Sequence, residues 1–402
     1  MKNKHWLILN SLDILTIVVT APRPGSDLLH SLLDDHPEII SFDGWLYFHE
    51  FFYRSISIYG TKNLFLFNNK NDTKDEFKNI NLSNFFYEFA WSHLHKFDSR
   101  YDNLELKGNL GVNKDDFNLL DIDEFVKTAV NLISDEEFSS RNAMLAIYGS
   151  IALIRGDDLT NKKVLLHNVH LSEHLDFLLD DFPDVKIIAC TRDPRVWSTK
   201  INKTLDGMSL SSYSINMSRA LFKLGIDGTN PLSSRDLNVR VNSLERLHFK
   251  PLEVMTNICN WIGVKYGDSL LHSSWNGKTW NGDILSNNIE LCFDPGRYTD
   301  SQIAWKHDMY ITERVAIESI MNKEITMYKY TYDFNAKFWF LLVPFLILLP
   351  AKYEVRIFSQ IFKSRNFHLL IYLMINILYR YYRSYKKLFD NFVKSSKPFL
   401  IL

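Results

Sequence analysis

The sequence predicts an α/β protein built on a central parallel β-sheet flanked by helices. Three observations carry this. Ile14–Val19 is a short apolar run rich in β-branched residues, the pattern of a strand buried on both faces, Lys163–Leu166 reads as a short strand, and Val185–Thr191 as another buried one. The first two lead into helical spacings, at 28–33 and 173–180, and the third into a further helical turn, so right-handed crossovers and parallel pairing are expected. The residues able to do chemistry gather just beyond these strands, at Arg23–Ser26, His167–His170 and Arg192–Arg195. Ligands of open parallel sheets bind beyond the C-terminal strand ends.

The first of these stretches organises the rest. Ala21-Pro22-Arg23-Pro24-Gly25-Ser26 ends strand 14–19, because two prolines and a glycine permit neither strand nor helix to continue. Leu28, Leu29, Leu32 and Leu33 then fall on one helix face, and Pro37 closes the segment. A strand, a tight loop and a helix N-terminus in that order direct backbone N–H groups at one point and make an anion site. Arg23 adds a positive charge and Ser26 a hydroxyl donor. Asp27 would repel a bound phosphate unless it caps the helix or points away. The loop lacks the Gly-Lys-Ser/Thr ending of a Walker A motif, so a serine-held magnesium has no counterpart. The plainer alternative is an ordinary strand-to-helix turn carrying an arginine.

Composition bounds the function. The 402 residues are 46% hydrophobic, enough for one large domain with additions. A formal net charge of −1 gives no bulk attraction to nucleic acid, so any anion site must use a few aimed cations. Cys190, Cys259 and Cys292 form no Cys-x-x-Cys pair, which argues against a disulfide scaffold or zinc site and fits a reducing, cytoplasmic compartment. No His/Asp/Glu pattern demands a metal. Near the N-terminus Asp13 interrupts the apolar stretch, so Ile14–Val19 is read as a core strand and not as a signal peptide.

Residues 41–160 read as a mostly helical, aromatic insertion on the acceptor side, with amphipathic helices at Phe85–His95 and Glu124–Ile133 and an exposed charged connection at Asn68–Asn79. Val239–Val241 is a candidate last strand. Helix 251–262 follows, capped by Gly263, and a Trp/Asn/Gly-rich loop covers Ser273–Gly282. Trp305–Tyr330 reads as a connector and helix. The extension 336–402 differs from the domain over 1–335. Phe338–Leu349 and Phe367–Tyr379 are apolar but short for a bilayer span of about twenty residues. Arg380, Arg383, Lys386 and Lys387 follow. Helices lying in a membrane surface or docking on a partner fit this pattern, and so do helices packed on the domain's own surface.

Pro22-Arg23-Pro24-Gly25-Ser26-Asp27-Leu28-Leu29, with Leu32-Leu33-Asp34-Asp35-His36-Pro37, resembles the 5′-phosphosulfate loop and first helix of sulfotransferases, the bacterial branch in particular. Pro24 stands where a serine is usual, and Leu28 where many cytosolic members have an aromatic residue. Arg192-Asp193-Pro194-Arg195 resembles the family's 3′-phosphate motif. The serine expected eight positions beyond the motif arginine is Lys200 here, with Ser198 just before it, and either could serve. His170 stands where cytosolic members carry their catalytic histidine, with His167 as the alternative base and Asn168 in place of a nearby lysine. Leu244–Tyr266 resembles a late segment of structural role, and Arg297 with Trp305-Lys306 a late loop that closes over the nucleotide. The resemblance spans about residues 14–330.

It implies a P-loop-like sulfotransferase fold and transfer of a sulfuryl group from 3′-phosphoadenosine 5′-phosphosulfate (PAPS) to a hydroxyl or amine acceptor, in line and with a histidine base. Implied donor contacts are Arg23, Pro24, Gly25, Ser26, Asp27, Arg192, Ser198 or Lys200, and Arg297. His170 and Arg23 would be catalytic. The acceptor would be a glycan, a lipid or a small molecule. A peripheral contact at the inner membrane face through the C-terminal helices would suit a glycolipid. Two alternatives stand beside this: a nucleotide kinase on a related fold, and a non-catalytic, membrane-associated nucleotide-binding protein.

Overall fold

The computed structural model describes residues 3–42, 80–93, 119–168, 171–199, 236–282, 305–334, 342–365 and 367–393, with short pieces at 48–49, 51–53, 97, 110–113, 116–117, 225–226, 232 and 400–402. In chain order the elements begin with α1 (Lys4–Asn10), β1 (Asp13–Val19), α2 (Ser26–Leu33) and β2 (Ile39–Ser41). Helices α3 (Leu82–Ser92), α4 (Ile122–Ile133) and α5 (Ser140–Ile154) precede β3 (Lys163–Asn168), α6 (Leu171–Asp181) and β4 (Lys186–Thr191). Then come a helical turn at 194–199, β5 (Val239–Ser243), α7 (Leu244–Phe249) and α8 (Pro251–Ile262). A short hairpin joins β6 (Ser274–Trp275) to β7 (Lys278–Thr279). The chain continues with α9 (Trp305–Asp308), α10 (Ile311–Ile320), α11 (Asn322–Met327), α12 (Val343–Leu348), α13 (Lys352–Ser364), α14 (His368–Val393) and β8 (Leu400–Ile401).

Six strands form one parallel sheet in the order β2-β3-β1-β4-β5-β8. In β1 every residue after Asp13 is buried, as a strand covered on both faces must be. Helices start where side chains satisfy their first N–H groups: Asp121 accepts from Glu124 N–H at 2.8 Å before α4, and Ser139 from Asn142 N–H at 3.2 Å before α5. Pro344 sits in the first turn of α12, where its missing N–H costs nothing, so it starts that helix and does not break it.

Four expectations need correction. Strand β3 runs on to Asn168, so His167 and Asn168 lie within the strand and not after it. The three-residue β2, Ile39–Ser41, was not expected, because three apolar positions carry no period. The loop expected over Ser273–Gly282 holds a hairpin, whose Asn276 and Gly277 take φ of 53° and 71°. The second apolar stretch belongs to a 26-residue helix, α14, that extends well past Tyr379. The Asn68–Asn79 connection lies outside the described residues.

By its internal contacts the chain divides into two units: residues 1–18, 26–187 and 255–293, and residues 19–25, 188–254 and 294–402. The first has an aromatic core. Phe97 meets Phe125 at 4.7 Å between ring centroids and Phe85 meets Phe138 at 5.0 Å, both pairs edge to face. In it the buried Asp34 carboxylate accepts from Ser41 Oγ at 2.5 Å, Ser274 Oγ at 3.2 Å and Gly277 N–H at 2.9 Å. The second unit is centred on Trp197, Trp305, Ile317, Ile320, Ile325, Val343, Ile361 and Leu373. There Glu354 binds Arg380 in a fork, Oε1–Nε 2.8 Å and Oε2–Nη2 2.9 Å, and Arg380 also donates to the carbonyls of Ile347 and Leu349 at the end of α12. Lys387 pairs with buried Glu324 at 2.5 Å. Among the described residues no helix is long and apolar enough to cross a membrane.

Candidate functional site

In the second unit, the loop that leaves β1 is held by the end of β4. Thr20 donates to the Cys190 carbonyl twice, from its N–H at 3.0 Å and its hydroxyl at 2.9 Å. Arg23 and Gly25 both take left-handed φ values, 53° and 77°. Glycine is needed at 25 for a second reason: a Cβ there would lie 2.3 Å from Leu244 Cδ1. Arg192, first after β4, is buried and donates from Nη1 to the Arg23 carbonyl at 3.3 Å. The two strand-end motifs read from the sequence, at Arg23 and Arg192, therefore meet.

The neighbouring Arg195 has a different job. It forms a fork with Asp193, Nε–Oδ1 3.0 Å and Nη2–Oδ2 2.7 Å, donates to Glu318 Oε1 at 2.8 Å, and lies 4.2 Å from the centroid of the Trp305 ring. Its planar cation is used up in binding the motif to α10 and α9. Behind Arg192 stands a polar group that sequence reasoning passed over. Glu245 accepts from Asp193 N–H at 3.0 Å and from Tyr330 OH at 2.8 Å. Burial, then the negative charge of Asp193, raises the Glu245 carboxyl above its ordinary value. Burial, then the positive charge of Arg192, lowers the His248 imidazole to about 4, so it is neutral at physiological pH. The signal for both was the start of the Leu244–Tyr266 segment, which alone reads as structural.

In the first unit, Ser26 is buried at the N-terminus of α2. Asp27 Oδ1 lies 3.8 Å from His167 Nδ1, so the carboxylate turns toward an imidazole. His167 Nδ1 is 3.1 Å from His30 Nδ1, and both rings are buried. A hydrogen bond between two Nδ1 atoms needs one donor and one acceptor, so the pair shares a single proton along that contact. The His30 and Trp275 rings meet in a T-shaped pair, 6.1 Å between centroids. Tyr148 bonds to the His167 backbone and is driven upward in pKa by burial. His30 went unnoticed in the sequence because it sits inside the leucine pattern of α2.

Of the remaining expected residues, Ser198 is half-buried on the turn at 194–199, whose Thr199 hydroxyl donates to the Arg195 carbonyl at 2.9 Å. His170, Lys200 and Arg297 lie outside the described residues, and so does the side chain of Asn168. Among the described residues no group of three or more His, Cys, Asp or Glu side chains is placed to hold a metal ion.

A sequence model described as the sulfotransferase family matches residues 16–268, and the chain belongs to that family. No curated protein matches it in sequence. Solved structures similar to it include the sulfotransferase domain from the curacin biosynthetic pathway, at 14% identity and TM-score 0.39, covering 75% of this chain and 93% of that one. The sulfotransferase domain from the Synechococcus PCC 7002 olefin synthase matches at 15% identity and TM-score 0.37, covering 73% and 88%. Sulfotransferase STF9 from Mycobacterium avium matches at 13% and 0.34, covering 65% and 67%.

Proposed function

We infer that the chain transfers a sulfuryl group from PAPS to a hydroxyl or amine of a glycan, lipid or small-molecule acceptor. Family membership supports sulfuryl transfer. The observation that supports the donor reading is the bond from Arg192 to the Arg23 carbonyl, because it joins the two loops whose motifs resemble the 5′- and 3′-phosphate sites. Arg23 and the loop N–H groups of Gly25, Ser26 and Asp27 would take the 5′-phosphosulfate; Pro24, with no N–H, shapes the loop. Arg192, with Ser198 or Lys200, would take the 3′-phosphate, and Arg297 would close over the nucleotide.

The acceptor oxygen or nitrogen attacks sulfur in line, and the bond from sulfur to the bridging phosphate oxygen breaks. The acceptor proton passes to His170, or to His167 in the alternative assignment, and the bisphosphate leaves with its charge held by Arg23. Positioning and fixed charges do most of the work, and no metal takes part in this reading. The protein would act in the cytoplasm, peripheral to the inner face of a membrane.

Calorimetric titration with 3′-phosphoadenosine 5′-phosphate tests the donor site, beside an Arg192→Ala variant and an ATP–magnesium control. Binding that weakens at least tenfold in the variant is expected. No binding to the folded wild type would overturn the reading, and preferential binding of ATP–magnesium would replace it with the kinase alternative.

A further inference from the structure

Helix α14 is apolar again on the side away from its buried residues, and α13 exposes Val355, Phe358 and Phe362 beside Arg356, Ser359 and Lys363. In α14, Leu373, Asn376, Ser384 and Lys387 are buried against the second unit. Ile371, Met374, Ile375, Leu378, Tyr382 and Phe389 occupy the opposite side of the same helix and are exposed, Leu378 at 62% and Phe389 at 66%. A surface helix should place polar residues there. From Ile371 to Phe389 this stripe runs about 27 Å at 1.5 Å per residue.

It does not stop at the helix end. Phe362 of α13 meets Phe367 at 6.1 Å and Phe358 at 4.7 Å between ring centroids, and Phe358, Phe362 and Phe367 are themselves exposed. Val355 extends the α13 face by one more turn. The result is one continuous apolar surface across two helices, larger than scattered exposed side chains explain.

Charge says what covers it. Residues 336–402 hold eleven Lys and Arg against two Asp and Glu, a net of +9. Residues 1–335 hold 35 against 45, a net of −10. Both acidic side chains of the extension are accounted for away from the apolar surface or at its far end: Glu354 is buried on Arg380, and Asp390 is half-buried. On α13 the exposed Lys363 and the left-handed cap residue Arg365 border the phenylalanines. A second copy laid face to face would bring two net-positive segments together. An anionic lipid surface supplies both an apolar phase for the stripe and the opposite charge for its rim.

We propose that the outer face of α13 and α14 is a membrane-binding surface for anionic phospholipid, with Val355, Phe358, Phe362, Ile371, Leu378 and Tyr382 entering the headgroup–acyl boundary. It rests on the peripheral-membrane part of the reading above and is independent of the donor. The helices lie along the bilayer plane, since neither is apolar enough to span it.

The test is co-sedimentation of the full chain with vesicles of phosphatidylcholine alone and of phosphatidylcholine with phosphatidylglycerol, at low and high salt. The wild type should bind the anionic vesicles at least tenfold more tightly than the neutral ones, and more weakly at high salt. The variant Phe362→Ser/Ile371→Ser/Leu378→Ser should lose at least tenfold, and Lys363→Glu/Arg365→Glu should lose mainly the preference for anionic lipid. All three sites are exposed, and thermal melting checks that the variants remain folded. Equal binding by the triple variant, or no binding of the wild type to any vesicle, overturns the proposal. Self-association that the triple variant abolishes, without lipid binding, would assign the face to a second copy. Nucleotide titration without vesicles on the same samples reads the donor site separately.

Discussion

The aromatic layer of α3–α5 and the tail α12–α14 are similarly rich in large apolar side chains, yet they use them in opposite ways. In the first, Phe85, Phe86, Phe89, Phe97 and Phe125 are buried to 1% exposure or less. In the second, Phe345, Phe358, Phe362, Phe367 and Phe389 all stand in solvent. Ring–ring contacts occur in both, so contact alone does not mark a core. What separates them is whether the far side of the cluster is also covered.

The largest expected break in this contrast is Phe89→Ala. Phe89 packs on Phe48, Phe51, Phe97, Phe125 and His93. Its loss should cost about 4 kcal/mol in denaturant unfolding, by lost burial plus a cavity. A cost below about 1 kcal/mol would mean the layer is loosely packed. Next comes Glu354→Ala, which strips the fork from Arg380 beneath the tail and should cost about 3 kcal/mol. That loss would show that the inner face of the tail is held as firmly as the aromatic layer, despite the bare outer face.

Acid titration sharpens the same point with a buried polar group. The unfolded His248 imidazole binds a proton near its ordinary value of 6.5, whereas the folded one resists until about 4. Its contribution to stability is therefore fully present above the ordinary value and is lost as pH falls through that window, by about 1–3 kcal/mol. His248→Asn should flatten this limb, and an unchanged limb would assign it to other groups. The smallest effect is expected at Phe362→Ser, within about 0.5 kcal/mol, because the ring is half in solvent. A cost comparable to Phe89→Ala would show that the tail's outer face is already covered.

The strands that carry the motifs were legible because burial on both faces writes a continuous apolar run, as in Ile14–Val19. Helices α4 and α8 were legible through spacing. The hairpin at Asn276-Gly277 was announced by its own dipeptide, the strongest local hairpin signal, but the surrounding tryptophans and polar residues disguised the strands. The full length of α14 was hidden because its second half buries Ser384 and Lys387, whose pairing is a tertiary fact. At the site, Arg23 and Arg192 could be found from their places after strands. The split of labour between Arg192 and Arg195 could not, since it depends on Glu318 and Trp305 more than a hundred positions away.

Asp34 carries a consequence for how the molecule is made. Its carboxylate, at the end of the helix that follows the phosphate-type loop, takes donors from residues 240 and 243 positions later in the chain, Ser274 and Gly277. Closing so long a loop is slow, because its entropy is lost before the contact repays it. During synthesis the acid therefore has only the nearby Ser41 hydroxyl as a side-chain donor until most of the polypeptide has emerged. Fragments ending before residue 274 would carry the most recognisable motif of the chain without the partners that fix it.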